Sequence, residues 1–495
     1  MDWLASKNLL PVRTDDVPHV EPNRFRDEVV AGVQGGWRVV TLFGDRDGGK
    51  VNLYAVLADD HQFRLYLLAT SIDQDGQYPA ITPEVPSCHL FERELFEQFN
   101  IRPVDHPWLK PVRRGIAGIS ETERAYSFFR MEGDEVHEVG VGPIHAGIIE
   151  PGYFRFSCQG EEVVHLEIQL GFQHRGIENL FVAHNNHPLY LLKLAESIAG
   201  DTVIGHGGCF VRALEALGGV DAPRRARSLR TVALELERVA NHLGDLSALC
   251  NDVAYLTGHA AFGALRTRVI NTTMAACGSR FGRGWLRLGG VSDDNGAEGA
   301  EAIWRMLDPL ERDVDLAGDV LFASASVMSR FEKTGIVSRE AASQLGMVGP
   351  PGRASGLSLD VRSDHPYDEY ATFPVHKITL DSGDVFARAY IRYVEIKHAI
   401  RILREQLAAL PGGEGSRPVA DLQPNALVVS MSEGWRGEVV HVALTGGDTR
   451  LRRYKVKDPS FHNWFALALA VRGNGISDFP LCNKSFNLSY CGFDL

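Results

Sequence analysis

The 495-residue chain is 44% hydrophobic and 23% charged, with 51 basic and 63 acidic residues and a formal net charge of −12. This is close to the globular average and excludes disorder, collagen or coiled coil as the main state. The acidic balance argues against general phosphate-backbone binding, so no nucleic-acid partner is expected.

In chain order, residues 1–25 are mixed and proline-dotted, and a loose N-terminal arm is expected there. WRVVTLFG and VNLYAVLA flank the turn-rich DRDGGK, the pattern of a β-hairpin, and FRLYLLAT reads as a third strand. CHLFERELFEQFNI carries helical spacing and HPWLKPVR ends it, so residues 26–115 form a small α+β domain. Residues 116–138 read as a linker, and a second domain is expected over 139–495. It opens with a small β-meander through VGPIHAGIIEPGYFRFSCQGEEVVHLEIQLG and turns mainly helical from Ile177. Leu229, Val232, Leu236, Val239, Leu243 and Leu246 recur at steps of three and four, predicting an amphipathic helix with Glu235, Arg238, His242 and Asp245 on its polar face. A second such helix is predicted over 384–410, then a PGGEGSRP loop, strands VHVALTGG and LRRYKVK, and a helix near 460–472.

The seven cysteines are dispersed, with no C-x-x-C pair, which favours a reducing compartment over a disulfide framework. The N-terminal residues lack a positive region followed by an apolar stretch, so no secretory signal is expected. No run approaches the ~18 apolar residues of a membrane span. HRGIENL places Arg175 and Glu178 three apart on one helical face, the spacing of a local ion pair. The histidines His174, His184, His187 and His206 match no zinc spacing, so no metal site is expected. GRASGLSLDVRSDHPYDEY crowds Arg353, Asp360, Arg362, Asp364 and His365 together, either as a solvated loop or as the wall of a polar cavity. Phosphate-loop, dinucleotide and serine-hydrolase motifs are absent.

HRGIENL, ELERVANHL, GRASGLSLDVRSDHPYDEY, GDVFARAYIRYVEIKHAIRIL and RGEVVHVALTGGDTRLRRYKVKDPSFHNWFALALAVRGNGISD occur in a characteristic order. Together they resemble the large subunit of membrane-bound NiFe hydrogenases of the formate-hydrogenlyase type and the related core subunit of respiratory complex I. FERELFEQFNI and HPWLKP resemble the accessory core subunit of complex I, fused in front as in formate-hydrogenlyase large subunits. The resemblance spans about residues 30–495 and implies an α+β fold, a small α+β domain followed by a mainly helical hydrogenase-large-subunit-like domain.

In working hydrogenases of this family two C-x-x-C pairs hold nickel and iron, because soft thiolates bridge the two metals. The matching positions here are Ala199 and Thr202, then Ser489 and Gly492. The resemblance therefore implies no NiFe centre on this chain, and a quinone as a candidate ligand of the vacated cavity. Leu495 falls just past the second motif, so no C-terminal processing is expected. His145 matches the family's GPxH element, whereas its two quinone headgroup contacts fall near Pro151 and on Gly200. Glu178 matches a proton-passing glutamate, and His206 the histidine after the first cysteine pair. Arg175 and His242 match positions near a partner's iron–sulfur cluster, and Arg353 and Asp360 match a cavity-lining loop.

The resemblance implies an electron-transfer core subunit. Electrons come from a 4Fe-4S cluster on an iron–sulfur small subunit and pass to a quinone-like or other acceptor. Ferredoxin-like cluster subunits and antiporter-like and proton-channel-like membrane subunits complete the assembly, on the cytoplasmic side of an inner membrane. The alternatives are a catalytically inactive structural core and a hydrogenase with unusual ligands.

Overall fold

The computed structural model describes residues 3–113, 126–133, 135–147, 149–292 and 297–495. Much of the expected linker, residues 116–125 and 134, lies outside the described residues. The three predicted N-terminal strands form, at Arg38–Asp47, Lys50–Asp59 and Arg64–Asp73, as an antiparallel meander. Their side chains alternate between two buried faces, which is why the sequence shows continuous apolar runs. Leu53, Ala55 and Leu57 pack with the Pro22–Gln34 and His89–Phe99 helices. Tyr54, Val56 and Ala58 instead join the core of the helical region, alongside Leu191, Val232 and Val442. The two halves thus share hydrophobic cores.

The N-terminal arm is a correction to the sequence reading. Leu4–Ser6 pairs with Leu65–Leu67 at the edge of the first sheet. Val12–Arg13 pairs with Ala426–Leu427 at the edge of the last sheet. Between them the Asn8 side chain donates to the carbonyls of His365 and Met431 and accepts from Met431 N. The segment is too short and polar to show periodicity; unpaired sheet edges hold it.

Tyr153–Gln159 and Glu162–Gln169 form the predicted β-meander, and the central Tyr153–Gln159 pairs on its other side with Val136–Val141, which begins inside the expected linker. The last sheet runs Leu451–Lys457, Gly437–Thr445, Ala426–Gly434, then the Val12–Arg13 edge. Ala426–Gly434, which sequence reading did not identify, is buried along its whole length. Four long helices, Arg224–Asp252, Leu256–Cys277, Ala297–Ala323 and Val385–Ala408, pack side by side. Asp384 starts the last by accepting from Ala387 N.

The polar face predicted for Arg224–Asp252 meets protein. Glu235, Arg238 and His242 are fully buried and Asp245 is 2% exposed. Charges on other elements compensate them, so the helix carries ion pairs where periodicity implied solvent.

Candidate functional site

Of the residues that the resemblance assigns to the thiolate positions, Ala199 and Thr202 lie on one loop, Ser489 caps a short helix and Gly492 lies within it. Ala199–Thr202 precedes the Val203–Leu217 helix, and Asn487–Ser489 precedes the short Tyr490–Asp494 helix. Gly200 and Asp201 from the first loop share a polar cleft of about 510 Å³ with Asn487, Ser489 and Cys491 from the second. Asn241, Asp245, Arg266, Lys484 and Glu150 line the rest. A Cβ at Gly200 would meet nothing within 4 Å, so the position of the family's headgroup tyrosine is open space.

Arg436, from the turn between Ala426–Gly434 and Gly437–Thr445, crosses between the loops. Its guanidinium donates to both Asp201 carboxylate oxygens at 2.5 and 2.8 Å, to Thr202 Oγ1 at 3.1 Å and to the Asn487 carbonyl at 2.6 Å. It lies over the Trp435 ring, 3.9 Å from the centroid.

Ser489 Oγ is committed to capping, accepting from Gly492 N at 2.9 Å. A Cβ at Gly492 would sit 2.6 Å from Asp458 Oδ2 and 2.8 Å from Ser489 Oγ. Methyl, hydroxyl and hydrogen side chains offer no soft anionic donors, and the fourth position has no room for a side chain. These residues do not fit a thiolate-held bimetallic centre.

Behind the loops His206 is fully buried, with Nε2 3.0 Å from Asp458 Oδ2 and Nδ1 3.1 Å from His441 Nε2. His441 Nδ1 lies 2.8 Å from the Tyr454 hydroxyl. Ionised Asp458 only accepts, which fixes the direction: Tyr454 donates to His441, His441 to His206, and His206 to Asp458. Burial holds His441 well below its ordinary range, consistent with a neutral ring, and His206 also lowers its pKa. Burial opposes ionisation of Asp458, but His206 and Arg436 outweigh it and lower its pKa.

A second network continues inward from the cleft wall. Asp245 accepts from Asn487 and Arg392. His242 Nδ1 stands 3.8 Å from Asp245, and its Nε2 2.9 Å from Glu395. Arg353 donates to Glu395 at 2.5 Å and to Glu433 at 2.8 Å; Arg362 pairs with Asp360 and Glu235. Burial pushes Glu433 up to about 7, with Asp360 adding to the rise. Arg353 and Asp360 are 1% and 3% exposed. They sit in this core rather than lining the cleft, because three carboxylates surround the Arg353 guanidinium.

Other sequence-derived candidates sit elsewhere. Glu178 and Arg175 do not pair. Arg175 is exposed and donates to the carbonyls of Ser197 and Ile198. Glu178 bonds Arg453 at 2.8 Å and Lys455 at 3.1 Å, and lines a different cleft of about 530 Å³ with Arg113 and Leu495. Burial opposes its ionisation, but Lys455, Arg453 and Arg113 outweigh it and hold the carboxylate well below its usual range. His145 Nε2 bonds the Gly152 carbonyl at 2.8 Å, closing its own hairpin. His242 is fully buried behind Asp245. Sequence reading missed Asp201, Arg436, Glu433, Glu395 and Asp458; Arg436, Glu395 and Asp458 lay in motifs carrying the resemblance, Asp201 and Glu433 did not.

The chain belongs to the family that joins the 49 Kd subunit of respiratory-chain NADH dehydrogenase to the large subunits of membrane-bound hydrogenases. Residues 252–423 match the 49 Kd subunit and residues 30–114 the 30 Kd subunit of respiratory-chain NADH dehydrogenase. The carbon monoxide-induced hydrogenase of Rhodospirillum rubrum is 31% identical over 352 residues, 71% of this chain and 97% of that protein. Formate hydrogenlyase subunit 5 of Escherichia coli strain K12 is 28% identical over 483 residues, 92% of this chain and 84% of its own. An NADH-quinone oxidoreductase subunit of Dehalococcoides mccartyi is 29% identical over 343 residues, 69% of this chain and 93% of its own.

Proposed function

We propose that this chain is an electron-transfer core subunit of a membrane-associated, complex I-like or formate-hydrogenlyase-like oxidoreductase. It takes electrons from a 4Fe-4S cluster on an iron–sulfur small subunit, with ferredoxin-like cluster subunits upstream. It passes them, without a NiFe centre of its own, to a quinone-like or other acceptor at the Gly200–Ser489 cleft. Antiporter-like and proton-channel-like membrane subunits complete the assembly on the cytoplasmic side of an inner membrane. No helix among the described residues is long and apolar enough to cross a membrane, which suits a peripheral position.

The observation that carries this reading is the form of the vacated ligand region. The thiolate positions hold Ala199, Thr202, Ser489 and Gly492, and the adjoining cleft is open and polar. A purely structural subunit is the second reading, favoured where bulky apolar side chains fill that region; here Arg436 and Asp201 occupy it. Photo-crosslinking of a quinone analogue in the purified complex tests the proposal. Labelling of peptides around residues 241–248 and 484–491 is expected. Labelling confined to lipid-facing subunits, or nickel at one atom per chain, refutes it.

A further inference from the structure

Two basic side chains from different elements line the Gly200–Ser489 cleft. Arg266 comes from the Leu256–Cys277 helix and Lys484 from the Phe479–Phe486 helix. Both are half-buried, and neither makes an ion pair or a hydrogen bond among the described residues. Equally half-buried cations on the neighbouring Val385–Ala408 helix are neutralised: Lys397 pairs with Asp315, Arg401 with Glu405 and Arg404 with Glu311. The acids of the cleft are engaged elsewhere. Asp201 pairs with Arg436, Asp245 with Arg392, and Glu150 meets the Cys491 thiol. Lys484 acts on Asp252 from beyond ion-pair distance.

We propose that this cleft contains an anion subsite: Arg266 and Lys484 bind a carboxylate or phosphate group carried by the acceptor that enters beside Gly200. The inference rests on reading the cleft as the place where electrons leave, and it names what the acceptor must carry. A guanidinium offers a planar fork to two anionic oxygens, and an ammonium from the other element adds a further donor. A neutral quinone head would leave both cations without a partner.

The surroundings fit. Asp201 and Asp245 are neutralised by their own arginines, so Glu150 is the remaining acid among the lining residues and the two free cations outnumber it. A Cβ at Gly244 would sit 3.0 Å from both Cδ and Nε of Arg266. The bare backbone there lets the arginine lie flat on the Arg224–Asp252 helix, which sets its head in place before a ligand arrives. Phe281 lines the same cleft, its ring centroid 5.9 Å from the Arg266 guanidinium carbon. A cleft of about 510 Å³ has room for an aromatic ring bearing an acidic substituent.

Equilibrium dialysis of the purified complex against a matched pair of probes, anthraquinone-2-carboxylate and the neutral anthraquinone-2-carboxamide, tests this. The parent is expected to bind the carboxylate about tenfold more tightly than the carboxamide at low salt, with the advantage shrinking at high salt. Arg266→Gln and Lys484→Met are each expected to weaken carboxylate binding about tenfold and to leave carboxamide binding unchanged. Lys397→Met, which removes a cation outside the cleft, serves as control and changes neither. Equal affinity of the parent for the two probes overturns the proposal, as does carboxylate binding that survives in both cleft variants. Inorganic phosphate is the third probe and separates the two readings. If neither anthraquinone binds, but phosphate binds the parent and not the cleft variants, the acceptor reading falls and the anion subsite stands. If no probe binds the parent, the subsite falls as well.

Discussion

Replacing Arg353 with methionine isolates the energetics of the buried network. The guanidinium is 1% exposed and makes four hydrogen bonds. Two reach Glu395 Oε1 at 2.5 and 3.1 Å, one Glu433 at 2.8 Å, and one the Leu359 carbonyl at 2.8 Å. Methionine refills the stem but leaves Glu395, Glu433 and Asp360 facing one another. Breaking a buried ion pair from one side costs about 3–5 kcal/mol. That is a large part of the ~5–15 kcal/mol that holds a typical domain folded.

The cost has a pH signature. Glu433 already sits near 7 in the folded protein, through burial and Asp360, and the loss of Arg353 raises it further. A carboxyl raised above its unfolded value destabilises the fold where it is charged, and that penalty fades as pH falls and the group takes up its proton. The deficit of Arg353→Met is therefore largest at pH 8.5 and shrinks toward pH 6. Adding Glu433→Gln recovers about 1–2 kcal/mol by removing one stranded charge. Urea unfolding of parent, single and double variants at pH 6, 7 and 8.5 measures all of this. A deficit below about 1 kcal/mol, or one independent of pH across this range, refutes the account of a charge-balanced core.

Gly492→Cys is expected to destabilise the chain by about 1–3 kcal/mol, since its Cβ collides with Asp458, and to bring in no stoichiometric nickel; thermal denaturation and metal analysis check both. Glu178→Gln takes the carboxylate partner from buried Arg453 and leaves Lys455 paired with Glu94 alone, and is expected to cost about 3 kcal/mol; a double-mutant cycle with Arg453→Met reads the coupling. The parent's stability is expected to decline from about pH 7 to pH 8.5. Glu433 and Glu237 sit at about 7 and about 8 when folded, so both carry a proton that the unfolded chain has lost. Below about pH 6.5 the sign reverses, because burial holds His89, His106, His441 and His462 below their unfolded values and stability is lost as the unfolded chain protonates; below about pH 4 the stabilisation from Glu178 and Glu395 is lost as well. Melting temperature against pH, with Glu237→Gln flattening the alkaline side, checks this.

Sequence by itself determined three of the four strands of the first sheet, most of the meander, the long helices Arg224–Asp252 and Val385–Ala408 and the family resemblance, because each rests on local periodicity or an ordered set of motifs. The assignment of Ala199, Thr202, Ser489 and Gly492 to the family's thiolate positions is what the resemblance implies, since it needs only residue identity in register. Local pattern could not say what the polar residues of Arg224–Asp252 face. An unbroken polar stripe looks alike whether it meets water or Arg362, Arg392 and Glu395 from segments more than a hundred residues away. The same limit made Arg175 and Glu178 look like a pair, when helix packing sends one to backbone carbonyls and the other to Arg453 and Lys455. Only tertiary structure set Arg436 between the two loops and closed Gly492 against Asp458. Burial and charge pairing depend on which distant segments meet, and that information is carried by the folded chain as a whole.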